Sequence, residues 1–300
     1  MIEAKSITKF FSVVNEKGLA EGLTAVLNVS LTIPDGKIVS LLGPSGCGKS
    51  TFLEILAGLQ APTDGEIHID GKLVLEPLPS TRKEMEAYKR RYRFISPLAN
   101  GVFRDRPKHD IAMIFQDYAV FPWMTALQNI NFALKLRNAG AGKMARAARN
   151  ERARYYLNQV GLGEQENKYP SQLSGGMRQR LALARALSVE PKIILMDEPF
   201  AAVDALTREK LQDDLLKIWE KTREGSFPVI IVMVTHDTAE AVYLSDEVIV
   251  FSPSPGSIRN RIPIDIKRPR ARSDPEIIDI QERIFAMFQY DLNQESDYSI

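Results

Sequence analysis

Gly43-Pro44-Ser45-Gly46-Cys47-Gly48-Lys49-Ser50-Thr51 sets two glycines five apart and follows them with Lys and Ser, the spacing of a loop that wraps a phosphate chain. Glycines let the backbone fold tightly enough for its N–H groups to surround phosphates, and a helix opening at the loop adds about half a unit of positive charge. In such a loop Lys49 neutralises the β and γ phosphates and Ser50 offers a hydroxyl to Mg²⁺, while Cys47 is simply a small loop residue. A second group closes the run Ile193-Ile194-Leu195-Met196, where Asp197 and Glu198 stand together, at the sheet edge where parallel α/β folds place ligands. Asp197 can hold Mg²⁺, directly or through a water, and Glu198 can orient and deprotonate the water that attacks a γ-phosphate.

The third group is Leu173-Ser174-Gly175-Gly176-Met177-Arg178-Gln179-Arg180. Ser-Gly-Gly ahead of a helix makes another anion site, from free N–H groups, a serine hydroxyl and the positive end of the helix dipole. Each pattern occurs once. If the two surfaces serve one nucleoside triphosphate from opposite sides, two chains are needed to complete two sites.

The elements that must hold these groups follow from periodicity. Ile38–Leu42, Ile193–Met196 and Val229–Val234 are continuous apolar runs too short for most helices, as expected of parallel strands covered on both faces. Phe52, Ile55, Leu56 and Leu59 mark a helix over Lys49–Leu59, closed by Gly58 and Pro62; Leu211, Leu215, Ile218 and Trp219 mark another within Thr207–Glu224. Residues 117–187 lack such a strand and read as helices over Leu127–Arg137, Ala145–Val160 and Arg178–Leu187, a helical subdomain inserted between core strands. Residues 76–109 carry nine Lys and Arg residues, either a solvated insertion or a contact with lipid headgroups or a partner. The domain so defined spans 1–252, and a tail of 253–300 follows. The tail is rich in Pro and Arg until Ser273, then predicts a helix capped by Asp274, with Pro275 first and Ile277, Ile280, Ile284 and Phe288 on one face.

Composition bounds the rest. Of 300 residues, 44% are hydrophobic and 26% charged, values of an ordinary globular chain rather than a disordered or fibrous one. A net charge of +1 offers no general attraction to nucleic acid. The longest uncharged stretch, Tyr118–Leu134, is interrupted by Pro122, Gln128, Asn129 and Asn131 and falls short of a membrane span. The N-terminus lacks the basic-then-apolar pattern of a secretory signal, so a cytoplasmic location is expected. A single cysteine excludes an internal disulfide, and His68, His109 and His236 are too scattered to suggest a metal cluster.

Phosphate loop, Ser-Gly-Gly segment and acidic strand end, in this order, resemble the nucleotide-binding subunits of ABC transporters. The resemblance implies an α/β fold of the P-loop NTPase type, a RecA-like mostly parallel sheet with helices on both faces plus the inserted helical subdomain. It implies ATP and Mg²⁺ as ligands and hydrolysis of ATP to ADP and phosphate. It implies residue roles too: Phe11, or its neighbour Phe10, stacks on adenine; Gln116 senses Mg²⁺ and the permease; His236 contacts the γ-phosphate; and Asp204 lies at the dimer contact. Leu173, Ser174, Gly175, Gly176, Met177 and Gln179 become the signature that faces a partner's ATP. For His236 a cap reading stands beside this one, because Asp237 with Glu240 makes a helix start.

Phe115–Ala126, Met177-Arg178-Gln179-Arg180, Asp204–Arg208 and Ser252-Pro253-Ser254-Pro255-Gly256 are similar to the nitrate/sulfonate/taurine group of ABC importers. That likeness implies a second nucleotide-binding subunit, integral membrane permease subunits, an extracytoplasmic solute-binding protein acting indirectly, and a peripheral place on the cytoplasmic face of the inner membrane. A GTPase reading fails at Asn167-Lys168-Tyr169-Pro170, which lacks the final Asp of a guanine-reading motif. An ABC-type ATPase of DNA repair or chromosome organisation would carry long heptad arms, and an exporter more often carries its membrane helices on the same chain.

Overall fold

Continuous apolar runs need burial on both faces, and the main sheet supplies it. Along Ile230–Thr235, Ile230, Val232 and Val234 enter one core while Ile231 and Met233 enter another. The computed structural model describes residues 1–14, 20–77, 111–137, 144–201, 203–224 and 228–297. Residues 78–110, with nearly all of the basic segment and His109, lie outside the described residues.

The strands are β1 (Ile2–Val14), β2 (Ala20–Ile33), β3 (Ile38–Leu42), β4 (Asp64–Ile69), β5 (Lys72–Leu75), β6 (Ile111–Ile114), β7 (Ile193–Asp197), β8 (Ile230–Thr235), β9 (Glu247–Phe251) and β10 (Ile258–Pro263). The helices are α1 (Lys49–Leu56), α2 (Ala126–Arg137), α3 (Arg146–Gln159), α4 (Gly175–Ser188), α5 (Ala205–Glu224), α6 (Thr238–Leu244) and α7 (Pro275–Asp297). The main sheet has the order β10-β9-β3-β8-β7-β6, and a second sheet the order β2-β1-β4-β5. All neighbours in the main sheet are parallel except β10 on β9; the second sheet is antiparallel. The α/β, mostly parallel P-loop fold is therefore present, with helices on both faces.

Helix α1 fills the space between the sheets: Phe52, Leu53, Ile55 and Leu56 are buried with Ile7, Val29 and Ile67 on one side and Val39, Leu41 and Val232 on the other. On the opposite face α4, α5 and α6 cover the sheet through Leu183, Leu211, Leu215, Trp219 and Leu244. The buried Trp219 indole satisfies its N–H on the Val229 carbonyl at 3.0 Å. Ala126, Ile130, Leu157 and Leu181 hold α2, α3 and α4 together as a separate helical cluster.

Three sequence expectations differ from the structure. The first helix ends at Leu56, not Leu59, because Gly58 turns left-handed (φ 67°) and bonds its N–H to Ile55 O, so Leu59 emerges 41% exposed. The helix expected from Arg178 begins at Gly175; both signature glycines lie in its first turn. The tail expected to follow the domain shares its core instead: β10 pairs with β9, and Ile262, Ile264, Ile277 and Ile284 pack with Val248 and Val250. Asp274 caps α7 as the sequence predicts, accepting the Glu276 N–H at 3.0 Å.

Candidate functional site

Strand order decides what meets. β3, β8, β7 and β6 are consecutive and parallel, so their carboxyl ends deliver the 43–51 loop, His236, Asp197-Glu198 and Gln116 side by side, at the edge where such sheets bind ligands.

In the loop, Gly46 (φ 77°) and Gly48 (φ 98°) are left-handed, the alternation that turns successive N–H groups inward. A Cβ on Gly48 would lie 2.1 Å from the Ala25 carbonyl, so no other residue fits there. Lys49, the first residue of α1, is 5% exposed; its Nζ donates to the carbonyls of Gly43 and Pro44 at 2.7 Å each and lies 3.6 Å from Cys47 Sγ. No carboxylate lies within ion-pair distance of it among the described residues. A buried ammonium held by backbone carbonyls rather than by a direct ion pair, at the positive end of a helix, is an anion site in waiting.

Beside it Ser50 Oγ donates to Asp197 Oδ1 at 2.9 Å. Burial raises the Asp197 carboxyl above its ordinary range, Glu198 and Glu54 push it the same way, and the Ser50 bond and Lys49 oppose them. Glu198 holds a left-handed φ of 44° and bonds its N–H to Val234 O, a conformation that costs a non-glycine residue about 1 kcal/mol or more. That turn aims its carboxylate across the strand ends: Oε2 accepts from Gln116 Nε2 at 3.3 Å, and Oε1 lies 3.4 Å from His236 Nδ1. Gln116, Glu198 and His236, far apart in the chain, thus form one row.

The signature residues and Asp204 lie elsewhere. Among the described residues no hydrogen bond or ion pair joins Leu173, Ser174, Gly175, Gly176, Met177 or Gln179 to the phosphate loop or the acids. Ser174 caps α4, its Oγ accepting the Met177 N–H at 3.3 Å, and Gly176 is set by packing: a Cβ there would stand 2.8 Å from Thr207 Cγ2 of α5. Asp204 caps α5 through the Thr207 N–H at 3.0 Å, and Arg208 bridges the Val203 carbonyl (3.3 Å) and Asp237 (3.4 Å), tying this loop to the turn after His236. Phe11 lies near the end of β1 with Lys9 Nζ 5.1 Å from its ring centre, while Phe10 is 49% exposed.

Arg185 of α4 donates to the carbonyls of Tyr118 (3.1 Å) and Ala119 (2.7 Å), both left-handed, and so fixes the bend that follows Gln116 and ends at the 68%-exposed Trp123.

A family described as ABC transporter matches residues 26–201. The chain belongs to the ABC transporter family. The taurine import ATP-binding protein TauB of Burkholderia pseudomallei is 40% identical over 84% of this chain and 82% of its own length. The bicarbonate transport ATP-binding protein CmpD of Synechocystis sp. is 36% identical over 83% and 75%. Among solved structures, the dimeric post-hydrolysis state of an ATP-binding cassette bound to ADP and Pi superposes with a TM-score of 0.67 at 32% identity, covering 89% of this chain and all of that one. As a member of this family the chain is the ATP-binding, ATP-hydrolysing subunit of an ABC transporter.

Ala25 and Gly256, like Arg185, escaped the sequence reading. Ala25 and Gly256 brace the phosphate loop from behind: Gly256 N–H donates to Ala25 O at 3.1 Å, Leu27 N–H donates to Gly256 O at 2.8 Å, and a Cβ on Gly256 would fall 1.9 Å from Cys47 O. The only signal was Gly256 itself, in a segment noted for its likeness and given no role.

Proposed function

We propose that this ABC ATPase drives uptake of a small solute through separate membrane permease subunits, on the cytoplasmic face of the inner membrane, with each ATP held between the phosphate loop of one chain and the signature of another. The buried Lys49 ammonium, bonded to loop carbonyls and, among the described residues, to no carboxylate, carries this reading. Facing a triphosphate it would exchange the Gly43 and Pro44 carbonyls for phosphate oxygens, with the N–H groups of Gly46, Gly48 and the first turn of α1 around them.

The Mg²⁺ that accompanies ATP fits the donors present. Ser50 Oγ and Asp197 Oδ1 are hard oxygens 2.9 Å apart, and the buried, crowded Asp197 carboxylate is stabilised by a cation. With Gln116 they would hold the ion, which supplies charge neutralisation on the phosphates. Glu198 is the general base: Gln116 and His236 hold its carboxylate from either side, so that it would deprotonate a water at the γ-phosphate. His236 adds a donor to the same phosphate, and Phe11 stacks on the adenine.

Ser174, Gly175, Gly176, Met177 and Gln179, unbonded to the chain's own acids, would face the partner's γ-phosphate, and Asp204 would meet the partner at the dimer contact. Closure of the pair over ATP would drive the permease between its two open states. The exposed Trp123, on the bend after Gln116, suits contact with that permease. Relatives named for taurine and for bicarbonate match this chain almost equally, in keeping with a solute chosen by the permease and an extracytoplasmic binding protein.

Glu198→Gln tests the core of the proposal. ATP affinity is expected to hold while turnover falls by about 10²- to 10⁴-fold, the usual worth of a general base. A variant that hydrolyses ATP normally would remove Glu198 from that role.

A further inference from the structure

The Pro- and Arg-rich segment of the tail has no part in the function so far. Three of its side chains converge on one short helix. Helix α6 has 7 residues, too few to be stable alone, and its last carbonyls lack partners within the helix. The segment Ile264–Arg272 provides them. Arg270, 6% exposed, reaches the carbonyls of Val242 and Tyr243 (3.0 Å each) and Ser245 (2.7 Å) through Nη1, that of Ile266 (3.0 Å) through Nε and that of Ile264 (3.2 Å) through Nη2. Arg268 takes the remaining carbonyl, Leu244 O, at 2.6 Å, and pairs with Asp246 at 2.7 Å. Arg272 lies 3.8 Å over the Tyr243 ring and bonds Gln212 (3.1 Å) and Asp213 (2.9 Å) on α5.

One strap therefore caps the C-terminal end of α6 with positive charge, the sign its dipole favours, and locks α6 to α5. The other end of α6 is at the candidate ATP site. His236 directly precedes the Asp237 cap of α6, and Asp204 caps α5. Two helical turns, about 10 Å of rigid rod, separate the Arg270 guanidinium from the histidine backbone.

We infer that the arginine strap 268–272, with Arg270 at its centre, is a positioning device for ATP hydrolysis that sets His236 through helix α6. This rests on the proposed role of His236. Arg270 is a positioning residue, since it touches neither nucleotide nor reacting atoms.

The test is a double-mutant cycle on the full-length chain, with steady-state ATPase and a thermal melt recorded for each variant. Arg270→Met is expected to lower kcat about 10- to 100-fold, the range a misplaced group costs, with KM for ATP within about twofold. In a His236→Ala background the same substitution is expected to cost less than about twofold more, because the two act as one unit. Arg272→Gln, at a half-exposed site, repeats the cycle with a smaller effect and decides the matter if Arg270→Met does not fold. Wild-type rates in folded strap variants, or equal losses with and without His236, would overturn the inference. A His236→Ala variant of full activity would instead sink the reading of His236, and the strap's role with it.

Discussion

Glu240 lies in the first turn of α6, a few residues past His236, and its carboxyl points inward to Gln212 of α5 at 3.5 Å. Burial, then the neighbouring Asp237, pushes it up from 4.5 to about 8, against the Thr235, Arg208 and Gln212 contacts. Between those pH values the native chain holds a proton that the unfolded chain has released, so stability falls as pH rises from about 4.5 to about 8 and is level above. Each pH unit across that window costs about 1.4 kcal/mol. Glu240→Gln, which fixes the neutral form, is expected to flatten this dependence and raise the melting midpoint by several degrees at pH 8 but hardly at pH 5. Equal shifts at both pH values would contradict the assignment. The sequence marked Glu240 only as the third residue of a cap, and half of that is right: its N–H donates to Asp237 Oδ1 at 3.0 Å. The inward turn of its side chain was not legible, because it depends on α5 packing across a gap of nearly thirty residues.

At the scale of elements, the parallel strands were legible and the antiparallel sheet was not. β3, β7 and β8 are buried on both faces and so read as unbroken apolar runs. β1 and β2 alternate, but each contains a left-handed residue, Ser6 (φ 51°) and Asn28 (φ 50°), where the register shifts. The bulge moves the buried phase from Ile2 and Ala4 to Ile7, and from Val26 to Val29, which erases the period-two signal. The start of α4 was hidden for a related reason: Gly175 and Gly176 are poor helix formers, and Gly176 is there because α5 comes too close for a side chain. The same closeness places Gly256 behind the phosphate loop. Gly256→Ala must push the Cys47 carbonyl away, so ATP affinity is expected to fall about tenfold or more and stability by about 1–3 kcal/mol, the cost of overpacking. Gly22→Ala, with open space around it, serves as the control. Unchanged ATP affinity in Gly256→Ala would show that the brace does not hold the loop.

The whole molecule presents its phosphate loop, acids, Gln116 and His236 along one sheet edge and its Ser174 signature on a separate helix. On the proposed reading, one chain offers two halves of different sites and a facing pair offers two whole ones. The single copy of each motif prompts that proposal from sequence, whereas the bracing of the bend after Gln116 by Arg185 and of α6 by the tail appears only once the chain is folded. The most direct measurement mixes two disabled chains. Glu198→Gln lacks the base, and Ser174→Glu sets a negative charge against the partner's γ-phosphate; each alone is expected to be nearly inactive. In the mixed dimer both defects fall in one site and the other site is wholly wild type. Equimolar mixing is expected to restore ATPase activity toward about a quarter of the wild-type rate, since half of the dimers are mixed and each has one intact site. A mixture no more active than its separate components would contradict the shared site.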